Sequence, residues 1–138
     1  MQLIPYLTFK GECEAAFKFY EKCLGGKIVG MWPYAGSPLE NQVPAEWGNK
    51  IMHATLHVCE SVLQGADVSP ASYQKPQGIS VSIGLADAAQ AERIFQALAE
   101  DGTVQMPLQE TFWAVRFGVM VDRFGIPWSI NCEKGAAS

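Results

Sequence analysis

The sequence contains little charge, and most of that charge is negative. Only 17% of its 138 residues are charged, the ten Lys and Arg residues are scattered singly, and the net charge at pH 7 is −4. This distribution does not provide the clustered basic residues that nucleic-acid binding uses. Together with a hydrophobic content of 49%, the low charge also argues against intrinsic disorder and predicts a folded chain with a substantial core.

Long hydrophobic runs are also absent. No apolar segment approaches the roughly 20 residues that a membrane-spanning helix needs. The opening Met1–Tyr6 lacks the charged and apolar regions of a secretory signal peptide and is instead typical of an early strand. We therefore expect a soluble, cytoplasmic protein with no membrane or nucleic-acid partner.

The four cysteines do not form a CxxC pair or any other metal-finger spacing. Cys13 and Cys23 lie in one predicted helix, where the ten-residue separation places them about 15 Å apart, too far for a disulfide. In a cytoplasmic protein we expect these two, and also Cys59 and Cys132, to be free thiols.

Two segments carry the hydrophobic pattern of an amphipathic helix. Apolar residues of the first follow the i, i+3, i+4, i+7 spacing, and Gly25-Gly26 indicates its end. Asp87 is a good N-cap for the second. The pattern predicts helices near Glu12–Leu24 and Asp87–Glu100.

The sequence also contains a repeat of secondary-structure pattern. A shift of 75 residues aligns the two predicted helices, and it places the strand residues Ile4, Tyr6 and Thr8 on Ile79, Val81 and Ile83. Each helix is followed by three strand-like segments, which are Lys27–Met31, Lys50–Cys59 and Ser61–Gly65 in the first half and Thr103–Leu108, Trp113–Asp122 and Trp128–Cys132 in the second. The order β-α-β-β-β therefore occurs twice and predicts an α+β fold of two βαβββ modules.

Two connections are long. A segment rich in proline and polar residues separates the halves, and we expect one domain, 1–138, with module 1 at about 1–66, a linker at about 66–77 and module 2 at about 78–133. The other long connection, Trp32–Gly48, contains three prolines and three large aromatic residues. Loops of this length in a compact domain are usually functional or disordered, and three large aromatic residues argue against disorder, so we expect it near the mouth of a site.

Two motifs in the second half are specific: Gln109-Glu110-Thr111-Phe112-Trp113-Ala114 followed by Gly118, and Asp122-Arg123-Phe124-Gly125-Ile126-Pro127-Trp128. Weaker ones are Pro5-Tyr6-Leu7-Thr8-Phe9, Phe19-Tyr20-Glu21-Lys22-Cys23-Leu24-Gly25 and Ile51-Met52-His53-Ala54. With these motifs the chain resembles PhnB-like proteins of the glyoxalase/bleomycin-resistance/dioxygenase (vicinal oxygen chelate) superfamily from about Leu3 to about Glu133. The resemblance implies that the two modules form a curved mixed sheet around a cavity, often in a homodimer. Independently of it, Asp122 and Gly125 have the spacing of a type I turn between two strands.

The resemblance raises the question of a metal ion, since many superfamily members hold one with a His or Glu from each of four strands. It places these ligands near Pro5, His53, Ile79 and Ser129. Only His53 has a side chain that binds such metals. His57 lies on the same strand face, but about 13 Å away at ~3.3 Å per residue. We therefore expect no bound metal and no other cofactor.

We predict a ligand pocket lined by Tyr6, His53, Glu110, Trp113, Arg116 and Ser129. Its ligand would be a small, partly apolar organic molecule carrying a polar or anionic group, with Arg116 and His53 as donors. For two of these residues another role stays open. His53 is alternatively a hydrogen-bonded structural residue, and Trp113 is alternatively a core residue. No catalytic residue follows from the sequence.

Two classes of function remain. The first is a PhnB-like small-molecule-binding protein without the superfamily's metal site. The second is a lyase, isomerase or dioxygenase type of enzyme in the same superfamily, metal-dependent or metal-independent. The sequence has no G-x-S-x-G, P-loop or G-x-G-x-x-G motif and therefore predicts no nucleotide-type cofactor. The fold alone does not decide between these classes.

Overall fold

The computed structural model describes residues 1–133, and the chain divides into two compact units. The first is Met1–Gln74, and the second begins at Lys75, inside the predicted linker. No helix within the described residues is long and apolar enough to cross a membrane. The elements are β1 (Tyr6–Phe9), α1 (Cys13–Leu24), β2 (Lys27–Pro33), β3 (Ile51–Val58), β4 (Ser61–Asp67), β5 (Val81–Leu85), α2 (Ala88–Ala99), β6 (Thr103–Gln109), β7 (Ala114–Val121) and β8 (Pro127–Glu133).

The two units have the same sheet topology. Their strand orders are β1-β4-β3-β2 and β5-β8-β7-β6. The first strand of each unit pairs in parallel with the last, and the other neighbours pair antiparallel. Two mixed four-stranded sheets, each with one helix, confirm the predicted α+β class and the repeated βαβββ module.

Each helix covers one side of its own sheet with apolar side chains. The buried residues are Cys13, Ala16, Phe17 and Tyr20 in α1 and Ala91, Ile94, Phe95 and Leu98 in α2. Sheet glycines allow close approach, since a Cβ on Gly65 would lie 2.9 Å from the ring of Phe17 and a Cβ on Gly118 would lie 2.7 Å from the ring of Phe95. Both helices match their predicted bounds within one residue, and Asp87 caps α2 as predicted, through the amide two residues on.

The predicted alignment of the two first strands is wrong by one residue. Phe9 packs on α1, so Tyr6 points away from that helix. Val81, which the shift of 75 aligned with Tyr6, lies on the α2 side of its sheet beside buried Trp128. The cause is the connection to the helix, which has three residues after β1 but two after β5. Because a one-residue difference moves a strand side chain to the other face, Tyr6 corresponds to Ser82.

Two strands of the first unit extend further than predicted. β2 continues through Trp32 to Pro33, so Trp32 is a strand residue and not part of the long loop. β4 continues to Asp67, two residues beyond its predicted end at Gly65. The remaining connection between β2 and β3 contains two short 3-10 helices, Glu40–Gln42 and Ala45–Trp47.

A buried carboxylate at the end of β4 ties this unit together. Asp67 is 1% exposed, and its two oxygens accept hydrogen bonds from the amides of Gly11, Cys13 and Ile51, each at 2.9 Å. The hydroxyl of Tyr34 donates to the Asp67 carbonyl at 2.6 Å. The starts of α1 and β3 are thereby fixed relative to β4. The side of β1, β3 and β4 that faces away from α1 forms part of the site described next.

Candidate functional site

The side of the first sheet that faces away from α1, here called the distal face, carries polar and aromatic side chains. Alternation along each strand and direct pairing between strands place them there. They are Tyr6 and Thr8 on β1, Lys27, Gly30 and Trp32 on β2, His53, Thr55 and His57 on β3, and Val62, Gln64 and Ala66 on β4. Its charged side chain, Lys27, pairs with His57, which lies about 13 Å along β3 from His53 at ~3.3 Å per residue. Around His53 the face therefore offers aromatic contact and neutral hydrogen bonding.

His53 is held on this face by two hydroxyl groups. Its Nδ1 lies 3.0 Å from the hydroxyl oxygen of Tyr6, and its Nε2 lies 3.3 Å from Oγ1 of Thr55. Because β4 separates β1 from β3, the side chain of Tyr6 reaches across β4 to make this contact. The imidazole is thus fixed from two strands, and both of its nitrogens are engaged within the chain.

Two aromatic rings flank the imidazole. The indole of Trp32 stacks on it with ring centroids 5.9 Å apart and an interplanar angle of 26°. The imidazole also contacts the ring of Tyr6, with ring centroids 5.7 Å apart and an interplanar angle of 34°. We call these three rings the Tyr6–His53–Trp32 array. About half of Tyr6 (49%) and of Trp32 (51%) is exposed, so the array presents aromatic surface at the outside of the unit.

The phenol of Tyr6 keeps its proton at neutral pH. Burial raises the pKa of Tyr6 above its ordinary value, and the nearby groups of Cys13 and Tyr34 raise it further. With its proton retained, Tyr6 can donate to Nδ1 of His53 while the Nε2–H donates to Thr55. In this tautomer a continuous chain of hydrogen bonds runs from Tyr6 through the imidazole to Thr55.

The corresponding face of the second sheet is built from different residues. Ser129 lies on the face away from α2, directly paired with Ser82, and Phe117 is paired there with Asn131. The ring of Trp113, which is 42% exposed, meets the ring of Phe117 edge-on at 5.2 Å. This face therefore combines small polar groups with two aromatic rings.

Arg116 lies on the opposite side of that sheet. It pairs with Cys132, which is buried on the α2 side, and its Nε donates to Glu92 of α2 at 2.9 Å. Glu110 is exposed and directly follows β6. The structure thus separates Arg116 from Ser129, although the sequence prediction grouped the two in one pocket.

The predicted pocket residues therefore fall into distinct sets. Tyr6 and His53 are in contact in the first unit, whereas Ser129 and Arg116 lie on opposite faces in the second. Sequence reasoning missed Thr55, and it placed Trp32 in a loop near the mouth of the site and not on a strand beside His53. The available signal was period two along the strands, because Thr55 follows His53 by two residues and Trp32 follows Gly30 by two.

The distal faces do not provide the donor set of a divalent metal site. On the parallel strand pairs, the facing residues are Tyr6 with Gln64 and Ser82 with Ser129. Phenol, amide and hydroxyl groups do not replace the imidazole and carboxylate ligands that such ions prefer. Across residues 1–133, no three His, Cys, Asp or Glu side chains come together in a group that could hold a metal ion.

Comparison with known proteins defines the class. Residues 1–131 match the family model described as 3-demethylubiquinone-9 3-methyltransferase. The chain belongs to this family, and it shares the fold of a solved PhnB protein, a possible glyoxalase and a fosfomycin resistance protein.

Three relatives cover almost the whole chain. Protein YjdN of Escherichia coli K12 is 32% identical over 142 residues, which span 97% of both proteins. The crystal structure of protein PA1353 from Pseudomonas aeruginosa is 48% identical, with a TM-score of 0.88 over 96% of this chain and 98% of that one. A PhnB protein from Bacillus cereus has a TM-score of 0.80 at 21% identity, over 95% and 98% of the two chains, and shows the shared fold.

Proposed function

We propose that this chain binds a small, partly apolar organic molecule on the distal face of its first sheet, and that it does so without the metal ion of its superfamily. The observation that carries the proposal is the Tyr6–His53–Trp32 array. Aromatic side chains normally bury most of their surface, and half-exposed rings held in fixed positions are typical of ligand sites. The hydroxyls that hold His53 give the array a defined geometry before any ligand arrives.

The donor groups on the paired strands of the distal faces support the second part of the proposal. A superfamily enzyme that uses a metal needs several imidazole or carboxylate donors at one point, whereas the paired strand positions here carry Tyr, Gln and Ser. His53 is the one imidazole in the array, and both of its nitrogens already have partners in the chain.

The methyl-transfer activity in the family's description finds no support in the elements of this chain. A nucleoside-type cofactor is usually held by a glycine-rich turn between a strand and a helix. Here the strand-to-helix connections are Lys10-Gly11-Glu12 and Ala86-Asp87. Neither has the length or the glycine content of such a turn.

A second candidate is a metal-independent enzyme, favoured by the hydrogen-bonded chain Tyr6–His53–Thr55. An imidazole between two hydroxyls can accept and return a proton in lyase or isomerase chemistry. Such an enzyme would exchange a carbon-bound hydrogen of its ligand with solvent. Incubation of a bound ligand in D2O followed by mass spectrometry separates the candidates, since a binding protein leaves the ligand mass unchanged.

The binding proposal is tested by the indole N–H signals of the four tryptophans in a 1H–15N NMR spectrum, assigned with single Trp→Phe variants. A panel of neutral and anionic organic molecules, led by benzamide and benzoate, is titrated into the protein. We expect the Trp32 signal to move with saturation, while that of Trp128, which is buried and bonded to Asp122, stays in place. If no compound moves the Trp32 signal, the binding proposal is wrong.

We also propose that two copies of the chain form a homodimer. The outer strands β2 and β6 expose Val29 (50%), Val104 (45%) and Met106 (38%), and exposed apolar strand edges are normally covered. Sedimentation equilibrium at micromolar concentration should give the mass of a dimer, and a monomer mass would contradict the proposal.

A further inference from the structure

The indole of Trp32 occupies the space above a glycine of its own strand. A Cβ added to Gly30 would lie 2.1 Å from Cη2 and 2.4 Å from Cζ3 of Trp32, which is far closer than atoms approach without bonding. The benzo ring of the indole therefore rests where any other residue would place its side chain. From this position the same indole stacks on His53.

We infer that Gly30 sets the ligand specificity of this site, because its lack of a side chain leaves the space that the Trp32 indole occupies. In that position the indole selects a planar aromatic ring carrying a neutral hydrogen-bonding group. The inference rests on the proposed function, since it names the ligand class of the same site. Gly30 does not touch the ligand in this account. It acts as a positioning residue through Trp32.

The backbone at Gly30 does not itself require glycine. Gly30 is not among the residues with positive φ, so alanine can adopt its conformation without strain. The nearest atoms to the added Cβ belong to the outer end of the Trp32 side chain, which can rotate away. Gly30→Ala should therefore leave the sheet intact and displace the indole from His53.

The ligand class follows from what the array leaves available. Trp32 and Tyr6 are each about half exposed, and aromatic faces bind other flat π-systems by offset stacking. Gln64, directly opposite Tyr6 on β4, adds an amide donor and acceptor. Because Lys27, the charged side chain of this face, pairs with His57 about 13 Å along β3 from His53, the surroundings of the array are neutral, and a neutral amide or hydroxyl on the ring suits them better than a strongly charged group.

A matched control exists in the second unit. Gly84 is also a strand glycine on a face that points away from its helix, and it also lacks a positive φ. A Cβ added there would meet no atom within 4 Å. Gly84→Ala thus makes the same chemical change at a position where no ring has to move.

The test uses benzamide and cyclohexanecarboxamide, which share the amide group but differ in having a flat aromatic or a puckered saturated ring. Dissociation constants are measured by NMR titration of the Trp32 indole signal and of the His53 ring protons. We expect the wild type to prefer benzamide by about three- to tenfold, the size of one aromatic stacking contact. Gly84→Ala should keep this preference, and Gly30→Ala should lose it while keeping the melting temperature.

The inference is overturned if the wild type binds both amides equally, or if Gly30→Ala keeps the preference for benzamide. Neither result would contradict the proposed function. A loss of preference in Gly84→Ala would also overturn it, because the effect would then not depend on Trp32. If Gly30→Ala fails to fold, Trp32→Leu is the second variant. It should bind both amides equally, and a retained preference for benzamide would count against the inference. Failure of every compound to bind the wild type would instead remove the proposed function itself.

Discussion

The carboxylate of Asp122 offers a direct test of what the Asp-x-Phe-Gly-x-x-Trp motif does. Its Oδ1 accepts hydrogen bonds from the amides of Phe124 (2.8 Å) and Ile126 (3.0 Å), and its Oδ2 accepts one from Nε1 of Trp128 (2.8 Å). Asp122 is 3% exposed and Trp128 is 1% exposed. We therefore expect this motif to hold the β7–β8 hairpin together and to contribute stability, not chemistry.

The expected magnitude follows from the three donors that lose their acceptor. A buried donor without an acceptor costs about 1–3 kcal/mol, so Asp122→Ala should lower the free energy of unfolding by about 3–9 kcal/mol. That is a large part of the ~5–15 kcal/mol typical of a whole domain. Asp122→Asn retains an oxygen for the two amides but sets an NH2 group against the indole N–H. Its cost should be smaller, about 1–3 kcal/mol.

Urea unfolding followed by circular dichroism measures these differences, with Trp128→Phe as the matched background. Removal of the indole N–H should make Asp122→Asn less costly, since no buried donor then faces the new amide. If Asp122→Ala costs less than about 1 kcal/mol, or if Asp122→Asn costs the same in both backgrounds, the structural role of the motif is refuted.

Three further predictions concern the cysteines and Trp113. Burial and the nearby Asp67 carboxylate raise the pKa of Cys13, so at pH 8 its thiol should stay protonated and unreactive towards a disulfide reagent, whereas exposed Cys59 reacts at once. Titration of the denatured, unreduced protein should find four thiols, and two or fewer would contradict the expectation of a cytoplasmic protein. Trp113→Ala should lower the free energy of unfolding by less than the ~3–5 kcal/mol typical of a fully buried aromatic residue, because Trp113 is 42% exposed and packs edge-on against Phe117. A larger loss of stability in chemical denaturation would assign Trp113 to the core.

Strongly periodic segments were predictable from the sequence because their pattern is local. The spacing of apolar residues gave both helices within one residue, and the Asp122–Gly125 turn is confirmed by the bond from the Gly125 amide to the Asp122 carbonyl at 3.0 Å. The repeated β-α-β-β-β order also emerged, since each element carried its own signal.

The site was less predictable because it depends on which face of a strand a residue occupies. Prolines after Trp32 indicated a loop, yet β2 continues through it to Pro33. Arg116 was grouped with its neighbours in sequence, although period two puts it with buried Met120 on the side of α2. The contact between Tyr6 and His53 spans β4, and no local pattern reports a contact between residues that far apart.

The most direct test of the central claim is a benzamide titration of the wild-type protein and His53→Ala in the presence of EDTA, followed by the Trp32 indole signal. If the Tyr6–His53–Trp32 array is a metal-independent binding site, the wild type should bind equally well with and without the chelator. His53→Ala should bind at least about threefold more weakly, because Trp32 and Tyr6 lose the ring that fixes them. Binding that EDTA abolishes, or that His53→Ala leaves unchanged, would contradict the account.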